Sequence, residues 1–99
     1  MLESSARLYN RNVTRMQLEF RALFQRLIEQ TKKQTEEYIL DHKNCDREEV
    51  VELANAYLRK QREQMLEHLR LAIEKEREER QRRDAKMRQF CEESSPVNS

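Results

Sequence analysis

Apolar residues in the first forty positions recur at alternating steps of four and three. This spacing is typical of a helix that packs one stripe of side chains against another helix. The stripe consists of Leu2, Ala6, Tyr9, Val13, Met16, Phe20, Leu23 and Leu27. Four further residues, Leu8, Leu18, Phe24 and Ile28, lie beside it and widen it. Between positions 20 and 28 the apolar face is wide enough to predict contact with more than one helix.

The register of this stripe changes after Leu27. A continued heptad would place glutamines and a glutamate in the stripe, whereas steps of four lead through Thr31 and Thr35 toward Tyr38. Two consecutive steps of four form a stutter, which locally unwinds a coiled coil. Because threonine is only weakly apolar, we expect the Thr31 and Thr35 layers to be looser than the layers before them.

The second half of the chain carries its own helical stripe. It comprises Val50, Val51, Ala54, Leu58, Met65, Leu69, Ala72 and Ile73, with Tyr57 and Leu66 beside it and a polar interruption at Gln61 and Arg62. Positions 74–84 contain no apolar residue, and charges of opposite sign recur there at i, i+4. These spacings predict the pairs Glu76–Arg80, Glu78–Arg82 and Glu79–Arg83. We expect this charged segment to overhang the first helix, followed by a small apolar patch at 85–91.

Between the two stripes, residues 41–46 contain candidates for the C-cap of one helix and the N-cap of the next. Asn44 is suited to a left-handed helix C-cap, and Asp46 to an N-cap that accepts from the amide of Glu49. The predicted fold is all-α: one module over 1–93, an antiparallel coiled-coil hairpin with helices at about 4–41 and 47–92 and a bend at 42–46. A disordered tail is expected at 94–99. The alternative is a continuous rod-like coiled coil of roughly 135 Å.

Composition supports a helical chain that cannot bury a large core. There is no glycine and one proline, so the usual breakers of helices are almost absent. Charged residues make up 39% and hydrophobic residues 36% of the chain, with a mean hydropathy of −1.14. A single two-helix seam buries little apolar surface in so short a chain. We therefore expect assembly into a helical bundle, as a homo-oligomer (dimer) or within a hetero-complex.

Charge and cysteines bear on location and partners. The net charge of +1 gives no general attraction to nucleic acids or membranes. No apolar run resembles a secretory leader or a membrane span. Cys45 and Cys91 lie at opposite ends of the second predicted helix, too far apart to form a disulfide within one hairpin. Unpaired cysteines are typical of a reducing compartment, so we predict an intracellular protein, cytoplasmic or nuclear.

The sequence contains no motif that is typical of catalysis or cofactor binding. No glycine-rich phosphate loop and no nucleophile–His–Asp set that two helices could assemble is present, so we expect neither an enzyme nor a cofactor. His42 and Cys45 have the spacing of a metal-ligand pair, but a structural zinc site needs four ligands. Solvated loop residues are therefore the favoured interpretation, and we expect no metal. His68, beside the second stripe, is best read as a boundary residue.

The sequence therefore predicts a protein-interaction or oligomerisation module, a scaffold or subunit of a multiprotein complex. Its predicted interface consists of Tyr9, Val13, Met16, Phe20, Leu23, Phe24, Leu27, Ile28, Leu58, Met65, Leu69 and Ile73. The alternative function is a helical nucleic-acid-binding module. Its contacts would be the arginines of two basic stripes, Arg7, Arg11, Arg15, Arg82, Arg83 and Arg88. Neighbouring glutamates neutralise much of both stripes, which makes this the weaker hypothesis.

Overall fold

Two long helices, packed side by side in opposite directions, make up the protein. The computed structural model describes residues 4–94, with α1 at Ser5–Asp41 and α2 at Arg47–Ser94. The hairpin measures 86 × 23 × 12 Å. The antiparallel hairpin predicted from the sequence is confirmed, and the continuous rod is wrong. Ser94 still belongs to α2, whereas the rest of the predicted tail, and Leu2 of the first stripe, lie outside the described residues.

α1 begins at a serine N-cap. Ser4 has extended backbone angles, and its hydroxyl oxygen accepts a hydrogen bond from the backbone N–H of Arg7 at 3.2 Å. The first N–H groups of a helix have no partner within the helix, so this bond satisfies one of them. The cap fixes the point at which α1 starts to run beside α2.

α1 ends at Asp41 and is capped by His42, without a left-handed residue. The prediction for Asn44 is wrong, because no residue within the described range 4–94 has a positive φ. His42 leaves the helix at φ −121° and ψ 76°, and its backbone N–H still donates to the carbonyl oxygen of Tyr38 at 2.9 Å. Its ring stacks on that of Tyr38, with centroids 3.9 Å apart. A capping contact and a ring stack thus close a helix that has no glycine to end it.

α2 begins with a side-chain cap from Asp46. The carboxylate accepts from the backbone N–H of Glu48 at 3.1 Å, so the predicted bond from the amide of Glu49 is wrong by one position. A bond two residues ahead is the usual reach of an aspartate in a turn. Across the bend, Arg47 donates to Glu36 at 3.0 Å, between two side chains that remain well exposed. Such a pair contributes little stability.

The packed positions recur every eleven residues on both helices. On α1, Tyr9, Phe20 and Thr31 face the seam, and Ala54, Met65 and Glu76 do so on α2; all six are half-buried or buried. Eleven residues in three turns is 3.67 per turn, a spacing that does not produce the left-handed twist of a heptad coiled coil. The expected heptad therefore does not hold. At its Leu23 position the side chain is 54% exposed, and Phe24 is half-buried instead.

Thr31 is buried near the bend, where the sequence predicted a looser section. Thr31 is only 8% exposed, the lowest value among the described residues of α1. Thr35 donates its hydroxyl to the backbone carbonyl of Thr31 at 2.7 Å, so its polar group is satisfied within the helix. The facing residue Ala54 is also small. Small side chains on both helices allow a close approach, which buries Thr31 although it is only weakly apolar.

The charged part of α2 does not overhang α1. Half-buried or buried side chains continue along α2 as far as Asp84, and every side chain described from Ala85 to Glu93 is exposed. α2 has 48 residues and α1 has 37, so the projecting end is short. The overhang predicted to begin at Glu74 therefore begins at Ala85. The eleven-residue period explains the difference, because it turns Glu76 toward α1.

Candidate protein-interaction surface

The seam of the hairpin is only partly covered. Among residues 4–94, no hydrophobic side chain is buried, and the two buried side chains are those of Thr31 and Glu76. Two helices in contact share one line of side chains, which stays open to solvent on both faces of the pair. A bundle closes such a line by adding further helices. The single hairpin thus leaves its apolar side chains half-exposed.

One face of the hairpin carries an apolar groove. Met16, Phe20 and Leu23 form its α1 wall, and the α2 wall is formed by Met65, Leu69 and Ala72. The groove encloses about 390 Å³, and its rim consists of Glu19, Gln61, Gln64 and His68. The ring of Phe20 lies parallel to that of Phe24, with centroids 6.2 Å apart. Methionine on both walls can adjust its rotamer to partners of different shape.

The same face continues toward the bend with exposed apolar side chains. Leu53 lies eleven residues before Gln64, and Tyr57 lies eleven residues before His68, so the period of the seam places both on the side of the groove. A second depression closer to the bend includes Tyr38 and Leu53. Leu53, Tyr57 and Tyr38 are all large and exposed. We call this side of the hairpin, from Met16 and Ala72 to Tyr38 and Leu53, the groove face.

The opposite face has a smaller groove with a charged rim. It lies near the bend, encloses about 360 Å³ and is floored by Ile28, Thr31, Thr35, Val51, Ala54 and Leu58. Its rim includes Lys32, Glu36 and Arg47, of which the last two form the ion pair across the bend. The charged side chains around this groove make it less apolar at its edges than the groove face.

Most residues in the walls of the large groove belong to the interface predicted from the sequence. Eleven of the predicted interface residues are half-buried along the seam: Tyr9, Val13, Met16, Phe20, Phe24, Leu27, Ile28, Leu58, Met65, Leu69 and Ile73. Leu23 is exposed and belongs to the groove wall. The groove unites Met16, Phe20 and Leu23 with Met65 and Leu69. Contact of this set with a partner stays a prediction. Leu53 was missed, although its spacing of four from Tyr57 is the signal that marks a second apolar edge.

At the open end of the hairpin the two helices are joined by polar groups. The carboxylate of Glu76, 6% exposed, accepts from Asn12 Nδ2 at 2.9 Å and from an Arg83 guanidinium nitrogen at 3.4 Å. The guanidinium of Arg80 lies 5.4 Å from the centroid of the Tyr9 ring. The predicted Glu76–Arg80 pairing is therefore wrong. Arg80 instead pairs with Asp84, 3.6 Å away.

This cluster of Asn12, Glu76 and Arg83 is not fully satisfied. Arg83 Nε and the Ser5 hydroxyl oxygen are both buried without a hydrogen-bond partner. A buried carboxylate that loses a partner is costly, whereas a partly satisfied cluster is no more stable than apolar packing. Its contribution is therefore better described as fixing the alignment of α1 on α2 than as adding stability.

The predicted nucleic-acid contacts do not form one continuous surface. Arg83 is directed toward Glu76, and Arg15 lies 3.9 Å from Glu19. The remaining four are exposed: Arg7, Arg11, Arg82 and Arg88. By helical periodicity Arg7 and Arg82 project from the outer sides of α1 and α2, away from each other. The arginines are thus divided between opposite edges of the hairpin and its projecting end.

Exposed ion pairs on the outer side of α2 complete the charged surface. Arg70 lies 2.6 Å from Glu67 and 3.2 Å from Glu74. The hydrogen bond from Arg70 lowers the pKa of Glu67 below its usual value. The same bond, together with the charge of Glu67, raises the pKa of Arg70. All three side chains are more than half exposed, so these pairs contribute little to stability.

The described residues contain neither a metal-binding cluster nor a membrane-spanning stretch. Within the range 4–94, no three or more His, Cys, Asp or Glu side chains are grouped so that they could hold a metal ion. His42 Nδ1 lies 3.0 Å from the Tyr38 carbonyl oxygen, so this nitrogen is engaged within the chain. Cys45 and Cys91 are both free thiols. Neither α1 nor α2, over its described length, has an apolar stretch that could cross a bilayer.

Comparison with known protein families, with curated proteins and with solved structures gives no match to this chain.

Proposed function

We propose that the hairpin is a non-enzymatic interaction module whose groove face takes up a helix from another chain, so that the seam becomes the core of a helical bundle. The observation that supports this most strongly is the absence of any buried hydrophobic side chain among the described residues, together with an apolar groove between the helices. An unfilled apolar groove is the usual receptor for the apolar face of an amphipathic helix.

The energetic gain comes from side chains that are only half covered now. Fully burying a leucine, phenylalanine or methionine side chain contributes about 1.5–3 kcal/mol relative to leaving it exposed. Phe20, Met65 and Leu69 line the groove and already lose part of their surface to the hairpin. A third helix along this face removes much of the rest, and also covers Leu23 and Leu53.

The rim of the groove favours a protein helix over nucleic acid. It carries one carboxylate, two amides and one imidazole, and no arginine or lysine. Phosphate backbones are bound by clusters of positive charge, which this face does not present. The incoming helix belongs to a second copy of the hairpin or to another subunit of an intracellular complex, and in either case the chain acts as a scaffold element.

Photo-crosslinking from two matched leucines tests this proposal. Leu23 lies in the groove wall, whereas Leu18 projects from the outer side of the same helix; they are 54% and 57% exposed. Either position can carry a photoreactive phenylalanine analogue without disturbing packed side chains. In the full chain within its native cells, irradiation should link the analogue at Leu23 to a protein, seen as a band of higher mass.

The same protein with the analogue at Leu18 should give little or no adduct. Equal labelling from both positions, or none from Leu23, contradicts the groove as the site of interaction. Mass spectrometry of the adduct then identifies the partner and distinguishes a second copy of this chain from a different protein.

A further inference from the structure

Positively charged side chains lie together on the side of the hairpin opposite to the groove face. Lys32 of α1 and Asn55 of α2 line the smaller groove on that side. Arg21 lies eleven residues before Lys32, and Arg77 lies two such periods after Asn55. The period of the seam therefore places both arginines on the side of the smaller groove.

A third arginine, Arg62, lies on the same side. It follows Val51, another residue that lines the smaller groove, by eleven positions. Counted from the Asn12–Glu76 contact, its level along the hairpin falls between those of Arg21 and Lys32. We call the side that carries Arg21, Lys32, Arg62 and Arg77 the basic face.

The acidic side chains beside the basic face are already engaged. Glu36, on the rim of the smaller groove, pairs with Arg47 at 3.0 Å. Asp84, on the same side of α2, pairs with Arg80 at 3.6 Å. The four cations of the basic face are all exposed. Within the described part of the chain, none of their side chains forms a hydrogen bond or an ion pair, so their charge is available to a ligand.

Arg21 and Arg62 are the least compensated of the four. Neither has an acidic residue three or four positions away on its own helix, the spacing at which helical ion pairs form. The whole chain has a net charge of only +1, so the positive charge of the basic face is balanced by acidic side chains elsewhere. A local positive field of this kind attracts a polyanion even when the protein is nearly neutral.

We propose that the basic face binds the phosphate backbone of duplex nucleic acid, without reading its sequence. Three of its four cations are arginines, and a guanidinium group can donate two hydrogen bonds to one phosphate. The amides of Asn55 and of Asn10, eleven residues before Arg21, lie on the same side. Amide side chains donate further hydrogen bonds to phosphate oxygens. None of the four cations belongs to the arginines that the sequence suggested as nucleic-acid contacts.

The apolar residues of the basic face favour a duplex over a membrane or a single strand. Ile28, Leu66 and Ile73 are half-buried there. The large hydrophobic side chains exposed within residues 4–94 lie on the groove face, on the outer sides of the helices or on the projecting end. Helices that bind membrane surfaces insert exposed apolar side chains, and single strands are held by stacking on exposed aromatic rings. Contacts with duplex phosphates need neither.

The spacing of the cations fits a duplex that lies along the hairpin. Arg77 follows Glu76, which contacts Asn12, so Arg77 and Lys32 are about 30 Å apart along the helices at 1.5 Å per residue. About nine base-pair steps of 3.4 Å cover this length. The basic face uses no residue of the groove face and does not rest on the function proposed above. A duplex and a partner helix can therefore bind opposite sides of one hairpin.

Binding of the full chain to fluorescent DNA and RNA duplexes longer than the hairpin tests the proposal. Anisotropy titrations at several salt concentrations measure both the affinity and its salt dependence. Four neutralised phosphates should give a slope of log K against log salt of about −3 to −4 with DNA. Absence of binding to both duplexes at low salt, or a slope near zero, overturns the proposal.

A pair of double variants locates the binding on the hairpin. Arg21→Gln/Arg62→Gln should weaken duplex binding at low salt at least about tenfold and reduce the salt slope by about two. Arg7→Gln/Arg82→Gln is the matched control, because it removes the same charge from the outer sides of the helices and should keep the slope. Circular dichroism checks that both variants keep their helix content. Equal losses in the two variants overturn the assignment to the basic face.

Competitors test the chemical class of the ligand. Phosphatidylserine vesicles and polyglutamate, added at equal charge, should displace the duplex poorly, because they lack a regular array of backbone phosphates. Displacement as effective as that by unlabelled duplex assigns the basic face to lipid headgroups or acidic protein instead, and overturns the proposal.

The groove variant Leu23→Ser separates this inference from the proposed function. Leu23 lies in the wall of the groove face, and its replacement by serine leaves the net charge unchanged. Duplex binding should therefore be the same in this variant as in the wild type, whether or not a partner helix occupies the groove. Loss of duplex binding in Leu23→Ser would show that the duplex uses the groove face, and would overturn the assignment to the basic face.

Discussion

The two ends of the hairpin are held together by different means. Beside the bend, the buried side chain is Thr31, which lines the same groove as the small residue Ala54 of α2. At the open end it is Glu76, which depends on Asn12 from the other helix and on Arg83 from its own. Near the bend an uncharged side chain, that of Thr31, is removed from water. At the open end a charge is buried, and specific partners have to compensate for its lost hydration.

Different interactions therefore close the hairpin at the bend and align its two helices at the open end. The bend end is constrained by the short connection and by side-chain size, so many small or apolar residues could serve there. The open end is far from the bend, and a shift of one turn would carry Glu76 away from Asn12. The polar cluster therefore specifies one alignment of the helices.

The largest effect is expected from depriving Glu76 of its partners. The double substitution Asn12→Leu/Arg83→Met leaves the carboxylate without a partner and should lower the free energy of unfolding by about 3 kcal/mol, the low end for breaking a buried ion pair. Arg83 is 30% exposed, which limits the loss. Urea unfolding gives the value, and hydrogen exchange should show that residues 5–16 open first.

The control for this experiment removes the charge as well. Adding Glu76→Leu to the double variant should recover most of the lost stability, because apolar replacement of a whole buried polar cluster is close to neutral. If the double variant is as stable as the wild type, Glu76 is solvated in solution and the open end is not held by this cluster.

A smaller loss is expected from enlarging a side chain near the bend. Thr31→Leu places extra volume where the helices approach closely, and overpacking of this kind costs about 1–3 kcal/mol. Thr14→Leu is the matched control on an exposed position of the same helix and should change stability little. A stabilised Thr31→Leu protein would mean that the layer is loose, as the threonine pattern in the sequence had suggested.

The ion pair across the bend should matter less. Arg47→Ala removes the contact with Glu36 and should reduce the free energy of unfolding by about 0.5 kcal/mol, since both side chains are well exposed. High salt should abolish the difference between variant and wild type. A loss several times larger would show that the bend is closed by charge and not by packing.

The smallest effect is expected at the outer surface of α2. Arg70→Gln removes the hydrogen bond to Glu67, so the pKa of Glu67 should rise toward its usual value. With its lowered pKa, Glu67 favours the folded state above the pKa it has when unfolded, and this contribution disappears as the pH falls through the lower, folded value. NMR titration of the Glu67 side chain measures the change, and a pKa that stays low in the variant contradicts Arg70 as its cause.

The helices and the bend were predictable from the sequence because breakers are absent elsewhere. Asp46 identified the start of α2 correctly, but α1 does not end with the left-handed cap expected at Asn44. His42 was not foreseen there, since stacking on Tyr38 depends on side-chain geometry that a pattern does not encode. Competing local hydrogen bonds likewise decide between the amides of Glu48 and Glu49.

The packing between the two helices was harder to predict from the sequence, for a different reason. Heptad and eleven-residue patterns agree over short stretches and diverge slowly, so apolar spacing alone did not decide between Leu23 and Phe24. The sequence predicted an exposed Glu76, because this residue lies in a run of charged residues. The pattern did contain one signal, the equal spacing of Ala54, Met65 and Glu76. The groove walls were predictable because large apolar residues dominate them, whereas the polar contact between Asn12 and Glu76 needs the alignment of both helices.

The most direct test of the incomplete core is the free energy of unfolding of the full chain as a function of its concentration. A hairpin with no buried hydrophobic side chain among the described residues should be less stable than about 5 kcal/mol at low micromolar concentration. Any association through the groove face should raise this value as concentration increases. A free energy of unfolding well above about 5 kcal/mol that does not change with concentration would show that the single hairpin is stable without a further helix, which contradicts an incomplete core.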